Sequence, residues 1–202
     1  VMLPLLMLVD VWTLKPFWRR WDWPNSKVLI VGGALGVVLA AWLYKTIEAD
    51  MLRVLIGLIS IGFVLYQLST RLGLLRLREH PFRPGLGIFV GVVSGAASFI
   101  SHAGGPPVAM FLLTQKIGKT TYQATTVLVF WIVNIFKFIP YAFLGIFTWE
   151  TLLADLYLAP VAILGAALGI YAHRRVPEPV FFAITYILLV SAGGKLLYDG
   201  LT

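Results

Sequence analysis

Eight apolar runs separated by short polar turns form the pattern of this chain. A membrane-spanning helix needs about 20 residues, and about 17 is a practical minimum. Five runs meet that length and are predicted to cross a membrane: residues 28–44, 51–69, 122–147, 152–172 and 180–197. The first run, residues 1–14, is expected to be the tail of a helix. The remaining two runs, 86–100 and 105–114, are each too short to span alone.

A break separates these two short runs, and it extends from Ser101 to Pro107 with the sequence SHAGGPP. As one straight helix, residues 86–114 would be about 43 Å long, well beyond the hydrocarbon core. Lipid cannot satisfy the backbone groups that such a break frees, so the break must face protein or a polar cavity. The pattern therefore predicts a re-entrant pair of half-helices that enters and leaves by the same face.

Composition supports a membrane protein. Hydrophobic residues make up 59% of the chain and charged residues only 12%, whereas soluble domains carry about 25% charged residues. The fold class predicted is therefore an all-α, polytopic helical bundle whose surroundings are a lipid bilayer. The chain has no cysteine, which excludes disulfides and Cys-based metal sites. No metal ion or cofactor is predicted.

The net charge of +7 is concentrated in short loops, which is typical of cytoplasmic loops and does not favour a nucleic-acid partner. If the broken segment is re-entrant, all four basic loops lie on one side, and the C-terminus lies on the other. The positive-inside rule then predicts a multi-pass protein of the inner membrane with its C-terminus outside. The residues concerned are Lys15, Arg19, Arg20, Lys27, Arg71, Arg76, Arg78, Arg83, Lys116, Lys119, Arg174 and Arg175.

A weak internal repeat relates the two halves. An offset of 129 residues aligns Gly36 with Gly165, Ala40 with Gly169 and Ile47 with Val176. Because each unit has an odd number of spans, the two units are predicted to be inverted repeats, a plan common in secondary transporters. The predicted divisions are residues 1–70 as the first unit, 71–85 as a basic linker and 86–202 as the second unit.

Several motifs resemble the TauE/SafE family of sulfur-anion permeases. The segment from Gly91 to Pro107, GVVSGAASFISHAGGPP, is similar to the second signature of that family. QATT at 123–126 and NIFKFIPY at 134–141 resemble the family's sequence after that signature, and residues 1–20, with Pro4, Asp10 and Trp12, resemble the segment after the first signature. The resemblance implies a secondary transporter of sulfite, sulfonates or related anions whose pathway two symmetry-related signatures form. A Gly- and Pro-rich first signature is expected within about 45 residues upstream.

Lys137 is the leading candidate for binding the anion. A lysine at membrane depth costs at least about 2.5–3.5 kcal/mol on insertion scales, so a functional role is the default. Asn134 and Tyr141 share its helical face. Two interpretations stay open: direct contact with the anion, or an ion pair with Asp10, and the two are compatible if the anion and Asp10 compete for one charge.

The break supplies the other candidates. Because an unperturbed histidine titrates near neutral pH, His102 is a candidate for coupling transport to protons; the alternative is that it satisfies freed backbone carbonyls. Hydroxyls and amides around the break could donate to sulfonate oxygens, as helix N-termini bind anions. The predicted substrate-binding set is Ser98, Ser101, His102, Ala103, Gly104, Gly105, Asn134, Lys137 and Tyr141, with Asp10 and His102 as the coupling or ion-pair residues.

Further residues are interpreted structurally. Three stripes of small residues are predicted to be close-packing helix faces: Gly87/Gly91/Gly95, Gly32/Gly36 and Gly165/Gly169. His80 and His173 are predicted to be solvated in basic loops. Trp18, Trp21 and Trp23 are predicted to anchor the chain at the membrane interface.

Two other functions are alternatives to a transporter. An intramembrane enzyme would use Ser94 or Ser101 with His102, but adjacent residues rarely give the needed hydroxyl–imidazole geometry. A non-transporting membrane subunit is the other alternative.

For a transporter, the prediction is a polar cavity lined by Ser101, His102, Gly104, Gly105, Asn134 and Lys137, with an unfilled lobe beside Asp10. A site completed across a homodimer is the alternative to that lobe.

Overall fold

Eight α-helices make up the computed structural model, which describes residues 2–43, 49–72, 83–145 and 147–201. No strand occurs in these ranges, which confirms the predicted all-helical fold class. A short 3₁₀ turn, Lys15–Phe17, follows α1. The helices are α1 Met2–Leu14, α2 Trp23–Trp42, α3 Ala49–Arg71, α4 Pro84–Ser101, α5 Gly105–Thr114, α6 Lys119–Phe143, α7 Trp149–Arg175 and α8 Glu178–Leu201.

Local sequence explains where the helices begin. The Asp22 side chain accepts a hydrogen bond from the Asn25 amide and caps α2, whose first turn also contains a proline. Thr148 caps α7 in a reciprocal arrangement with Thr151. These contacts satisfy amides that have no partner within the helix.

Among the described residues, five helices are long and apolar enough to cross a membrane: α2, α4, α6, α7 and α8. The structure differs from the prediction at two elements. The apolar run within α4 is too short to span, but the helix begins at Pro84 and has 18 residues, about 27 Å. Helix α3 has 23 residues, but its apolar part, Arg53–Ser69, is shorter than the other spans.

Helices α2 and α4 run parallel and touch through their backbones. A Cβ on Gly91 would lie 2.7 Å from the Leu29 carbonyl oxygen, and one on Gly36 would lie 2.9 Å from the Ala96 nitrogen. A Cβ on Gly95 would lie 2.9 Å from the Cα of Gly33. The prediction that the stripes on α2 and α4 are close-packing faces is thus confirmed, since any side chain there would separate the helices.

The contacts bring the end of α5 back to the end of the bundle where α4 begins. A Cβ on Gly87, near the start of α4, would lie 3.1 Å from the ring of Phe111, near the end of α5. The start of α2 lies beside the start of α6, because the Asp22 amide donates to Thr125 Oγ1 at 2.9 Å. Since α2 and α4 are parallel, the broken pair starts and ends at one end of the bundle, as a re-entrant pair does.

The same end collects the basic loops in the described ranges. Lys119 Nζ donates to the carbonyl oxygens of His173 and Val176 at the end of α7. The Phe17 ring, after α1, lies 5.0 Å from the His173 ring. We call this end, with the α1–α2, α5–α6 and α7–α8 turns, the basic end. Most of the predicted linker 71–85, with His80, lies outside the described residues.

Helices related by the 129-residue offset run in opposite directions. Helix α3 packs antiparallel to α8, because Gly57 approaches Gly193 while Gly200 approaches Asp50. Helix α7, the counterpart of α2, differs from it in packing. Nothing in the described part of the chain lies within 4 Å of a Cβ added at Gly165 or Gly169. The prediction that this third stripe is a packed face is wrong here, because no described helix covers it.

Candidate functional site

The break between α4 and α5 is only three residues long. His102 ends α4 in a left-handed conformation with φ 54°, a conformation in which histidine is enriched among non-glycine residues. Its amide donates to carbonyl oxygens of the last turn, which would otherwise have no partner. Ser94 Oγ donates to the Gly104 carbonyl at 2.7 Å and holds the break against α4. A side chain at 104 would collide with Ser94 and Ser98.

Lys137 reaches this break from α6. Its side chain is 0% exposed. Nζ lies 3.2 Å from both Ser98 Oγ and His102 Nδ1, and 5.6 Å from the centre of the Tyr141 ring. Among the described residues no carboxylate comes within salt-bridge distance of it. The predicted candidates Ser98, His102, Lys137 and Tyr141 are therefore brought together.

Asp10 does not form the predicted ion pair with Lys137. Its Oδ2 accepts a hydrogen bond from Asn134 Nδ2 at 2.7 Å. Asn134 lies one turn before Lys137 on α6. At that position it contacts Asp10 of α1, while Lys137 contacts the break. Asn134 thus holds the Asp10 carboxylate one helical turn away from Lys137, and the two charged groups form no ion pair.

Aromatic side chains cover the cluster on the side away from the basic end. Tyr141 donates its hydroxyl proton to the Phe99 carbonyl oxygen at 2.5 Å, and the two rings lie 5.0 Å apart. Phe147, before α7, lies 6.4 Å from Tyr141 and 5.1 Å from Phe138. This aromatic cover separates Lys137 from that side of the molecule.

A cavity of about 650 Å³ lies on the other side of the break, in the half of the bundle nearest the basic end. Of the six residues predicted to line a polar cavity, only Gly105 lines this one. The other five do not line the cavity: four lie around the break, and Asn134 bonds to Asp10. The cavity walls are mostly apolar. Thr13, one turn after Asp10, lies in the wall, so the open space is displaced from the predicted lobe toward the basic end. Its polar and glycine lining includes Thr13, Gly105, Gln123, Thr126, Gly169, His173 and Thr185.

The remaining predicted binding residues, Ser101, Ala103 and Gly105, lie at the break but form no hydrogen bond with Lys137 within the described residues. Ser101 Oγ donates to the Ala97 carbonyl of its own helix. Ala103 is buried, and Gly105 is exposed at the start of α5 with nothing within 4 Å of an added Cβ. In the described residues neither Ser94 nor Ser101 forms a hydrogen bond with the His102 ring, because each hydroxyl is bonded to a backbone carbonyl. The arrangement needed for the enzyme alternative is therefore not assembled.

Gln123 and Thr126 were missed as candidates for the site. Both line the cavity. They lie 11 residues before Asn134 and Lys137, respectively, and 11 residues are close to three helical turns. The polar face of α6 therefore continues from the buried cluster into the cavity, and the helical period already contained this signal.

His173 differs from its prediction, whereas two of the tryptophans agree with theirs. His173 was expected to be solvated, but it is only partly exposed and lies between the rings of Phe17 and Phe181, at 5.0 and 5.4 Å. The prediction failed because the α1–α2 turn folds over the end of α7. Trp18 and Trp23 are 58% and 50% exposed, as a predicted interfacial anchor would require.

Comparison with known proteins assigns the family. The profile of the family described as Sulfite exporter TauE/SafE matches residues 1–196. No curated protein and no solved structure matches the chain. The family match covers nearly the whole chain, and the helices agree with a multi-pass membrane protein. This chain belongs to the TauE/SafE sulfite exporter family and is a membrane transporter.

Proposed function

We propose that the protein moves small sulfur-containing anions such as sulfite or sulfonates across the inner membrane. The observation that carries the proposal is Lys137, which is fully buried and contacts only neutral partners in the described residues. A buried cation that is not paired with a carboxylate costs free energy. An anion that reaches Nζ offsets this cost and is therefore bound favourably.

The break provides donors of the kind that a sulfonate or sulfite needs. Ser98 Oγ and the Lys137 ammonium are 3.2 Å apart and could share one oxyanion. Pro106 and Pro107 have no amide proton, so the amides left without a partner within the helix at the start of α5 are those of Gly104 and Gly105. Helix N-termini favour anions, and Gly105 lies in the cavity wall.

Access is proposed to alternate around the break. The cavity leads from the basic end to Gly105, while the aromatic cover of Phe99, Tyr141 and Phe147 blocks the other side. We assign the basic end to the cytoplasm by the positive-inside rule, with the C-terminus outside. Residues 1–70 and 86–202 are proposed as inverted repeats, in keeping with the opposite directions of α3 and α8.

The charge of Lys137 tests the proposal most directly. In Lys137→Met the binding of sulfite or taurine to purified protein should fall about 10- to 100-fold, because a charge-assisted hydrogen bond in a desolvated site is lost. Lys195→Met is the matched control, since Lys195 is 74% exposed and paired with Asp199. The measurement is a binding titration, followed by uptake of labelled anion into proteoliposomes.

Wild-type affinity in a folded Lys137→Met variant would refute the proposed anion contact. Lys137→Arg separates charge from shape: the charge is kept, but the planar guanidinium cannot occupy the same space as the compact ammonium. We expect Lys137→Arg to bind the anion more weakly than wild-type protein but more tightly than Lys137→Met.

Proton coupling is proposed to involve His102, whose Nδ1 contacts Lys137 while its side chain is exposed. His102→Asn keeps a side chain that tolerates the left-handed conformation but removes the titratable ring. An imposed pH gradient should accelerate uptake by wild-type protein and leave uptake by this variant unchanged. Equal acceleration in both proteins would exclude His102 as the coupling residue.

A further inference from the structure

A second, smaller cavity lies at the basic end beside the larger one, and the two share Phe17, Ile170 and His173 as walls. It has a volume of about 320 Å³ and lies where the α1–α2 turn meets the end of α7 and the start of α6. At about 30 Å³ per water molecule, that volume equals roughly ten waters, which is room for a phosphate group with part of its alcohol. Its walls are Pro16, Phe17, Arg20, Lys119, Thr120, Ile170, His173 and Arg174.

Three cationic side chains line this small cavity: Arg20, Lys119 and Arg174. Neither arginine forms an ion pair within the described part of the chain. The acidic groups nearest in sequence are Glu178, which accepts from the Lys119 amide at 3.3 Å, and Asp22, which caps α2. Neither forms an ion pair with the three cationic groups within the described residues, so the cavity keeps an excess of positive charge.

Lys119 and the backbone of the α1–α2 turn are held in place before any ligand arrives. Lys119 Nζ uses two of its three protons on the carbonyls of His173 and Val176, which leaves one for a ligand. The α1–α2 turn is closed by hydrogen bonds from the Trp18 and Arg20 amides to the carbonyls of Lys15 and Phe17. A positive φ of 60° at Arg19 directs the chain back over α7.

The depth of the cavity favours a lipid. Trp18 and Trp23 flank Arg20 along the chain and are exposed, as residues at the membrane–water boundary are. Basic pockets between spanning helices on the cytoplasmic side bind phosphate-bearing headgroups, and arginine pairs with phosphate through two parallel hydrogen bonds.

We propose that Arg20, Lys119 and Arg174 form a binding site for a phosphate anion and that its occupant is the headgroup of an anionic phospholipid. Bound there, the headgroup ties the α1–α2 turn to the end of α7. The site is separate from Lys137 and the broken pair, so its test does not depend on the transported anion.

Native mass spectrometry in mild detergent tests the site with phosphatidylglycerol and phosphatidylcholine as probes. Wild-type protein should bind phosphatidylglycerol about 100-fold more tightly than phosphatidylcholine, since each of the three basic residues contributes a factor of about five. In Arg20→Gln/Arg174→Gln the preference should fall to about fivefold, the contribution of the remaining Lys119. The matched control is Lys27→Gln/Arg175→Gln, which removes two charges near the same end outside the cavity lining and should keep the preference.

Two outcomes would overturn the proposal. An unchanged preference in Arg20→Gln/Arg174→Gln would place the lipid elsewhere. Displacement of phosphatidylglycerol by millimolar inorganic phosphate would identify a soluble anion as the occupant. A second measurement uses only wild-type protein, in case the variant does not fold: phosphatidylglycerol should slow hydrogen–deuterium exchange in residues 15–21 and 171–177. Equal exchange with both lipids would refute the site.

Discussion

Helices α2 and α7, which the 129-residue offset aligns, differ sharply in their surroundings. In the most apolar stretch of α2, 44% of the residues are buried inside the protein, against 6% in α7. Gly36 and its counterpart Gly165 show the contrast at one position: the first meets the backbone of α4, and the second faces open space in the described part of the chain.

The difference teaches that small-residue spacing permits close packing without producing it. Within a membrane, apolar surface alone does not drive helices together, so association depends on close contact and on a partner of matching shape. Helix α2 has that partner in α4, whose glycines face its own. Helix α7 carries a similar spacing but packs mainly against α1, through other residues.

The largest expected effect separates Gly36 from Gly165. Gly36→Leu should destabilise the protein by more than about 3 kcal/mol or prevent folding, because the side chain would force α2 and α4 apart. Gly165→Leu should change stability by less than about 0.5 kcal/mol, since it projects into open space. Unfolding with SDS in mixed micelles, followed by tryptophan fluorescence, measures both.

Comparable losses in these two variants would contradict the contrast and would mean that the Gly165 face is also packed. Stable, folded Gly36→Leu protein would instead show that α2 and α4 can separate without cost. Expression and monodispersity of each variant provide the control for a protein that fails to fold at all.

Replacing glycine by alanine should have a smaller effect on stability, of opposite sign on α4 and on α7. Gly95→Ala is expected to cost about 1–3 kcal/mol, because the added Cβ would lie 2.9 Å from the Cα of Gly33. Gly169→Ala should be neutral or stabilise the protein by up to about 1 kcal/mol, since alanine is the better helix former. The same unfolding assay gives both values, and loss of stability in Gly169→Ala would contradict the open environment of α7.

The sequence alone determined much of this protein. Apolar run lengths predicted the helices, and the half-helix Gly105–Thr114 has the bounds that the pattern indicated. The prolines and glycines located the break, and the spacing of Asn134, Lys137 and Tyr141 placed them on one buried face of α6. These features are local: hydrophobic length, backbone hydrogen bonding and the helical period act over neighbouring residues.

Only the tertiary structure decided which partner each polar group meets. Asp10 bonds to Asn134 rather than to Lys137, His173 lies between two aromatic rings, and the larger cavity lies on the basic-end side of the break instead of around Lys137. Such outcomes depend on the rotation and offset of helices that are distant in sequence. A shift of one residue turns a helix by about 100°, so local patterns define a face but not its neighbour.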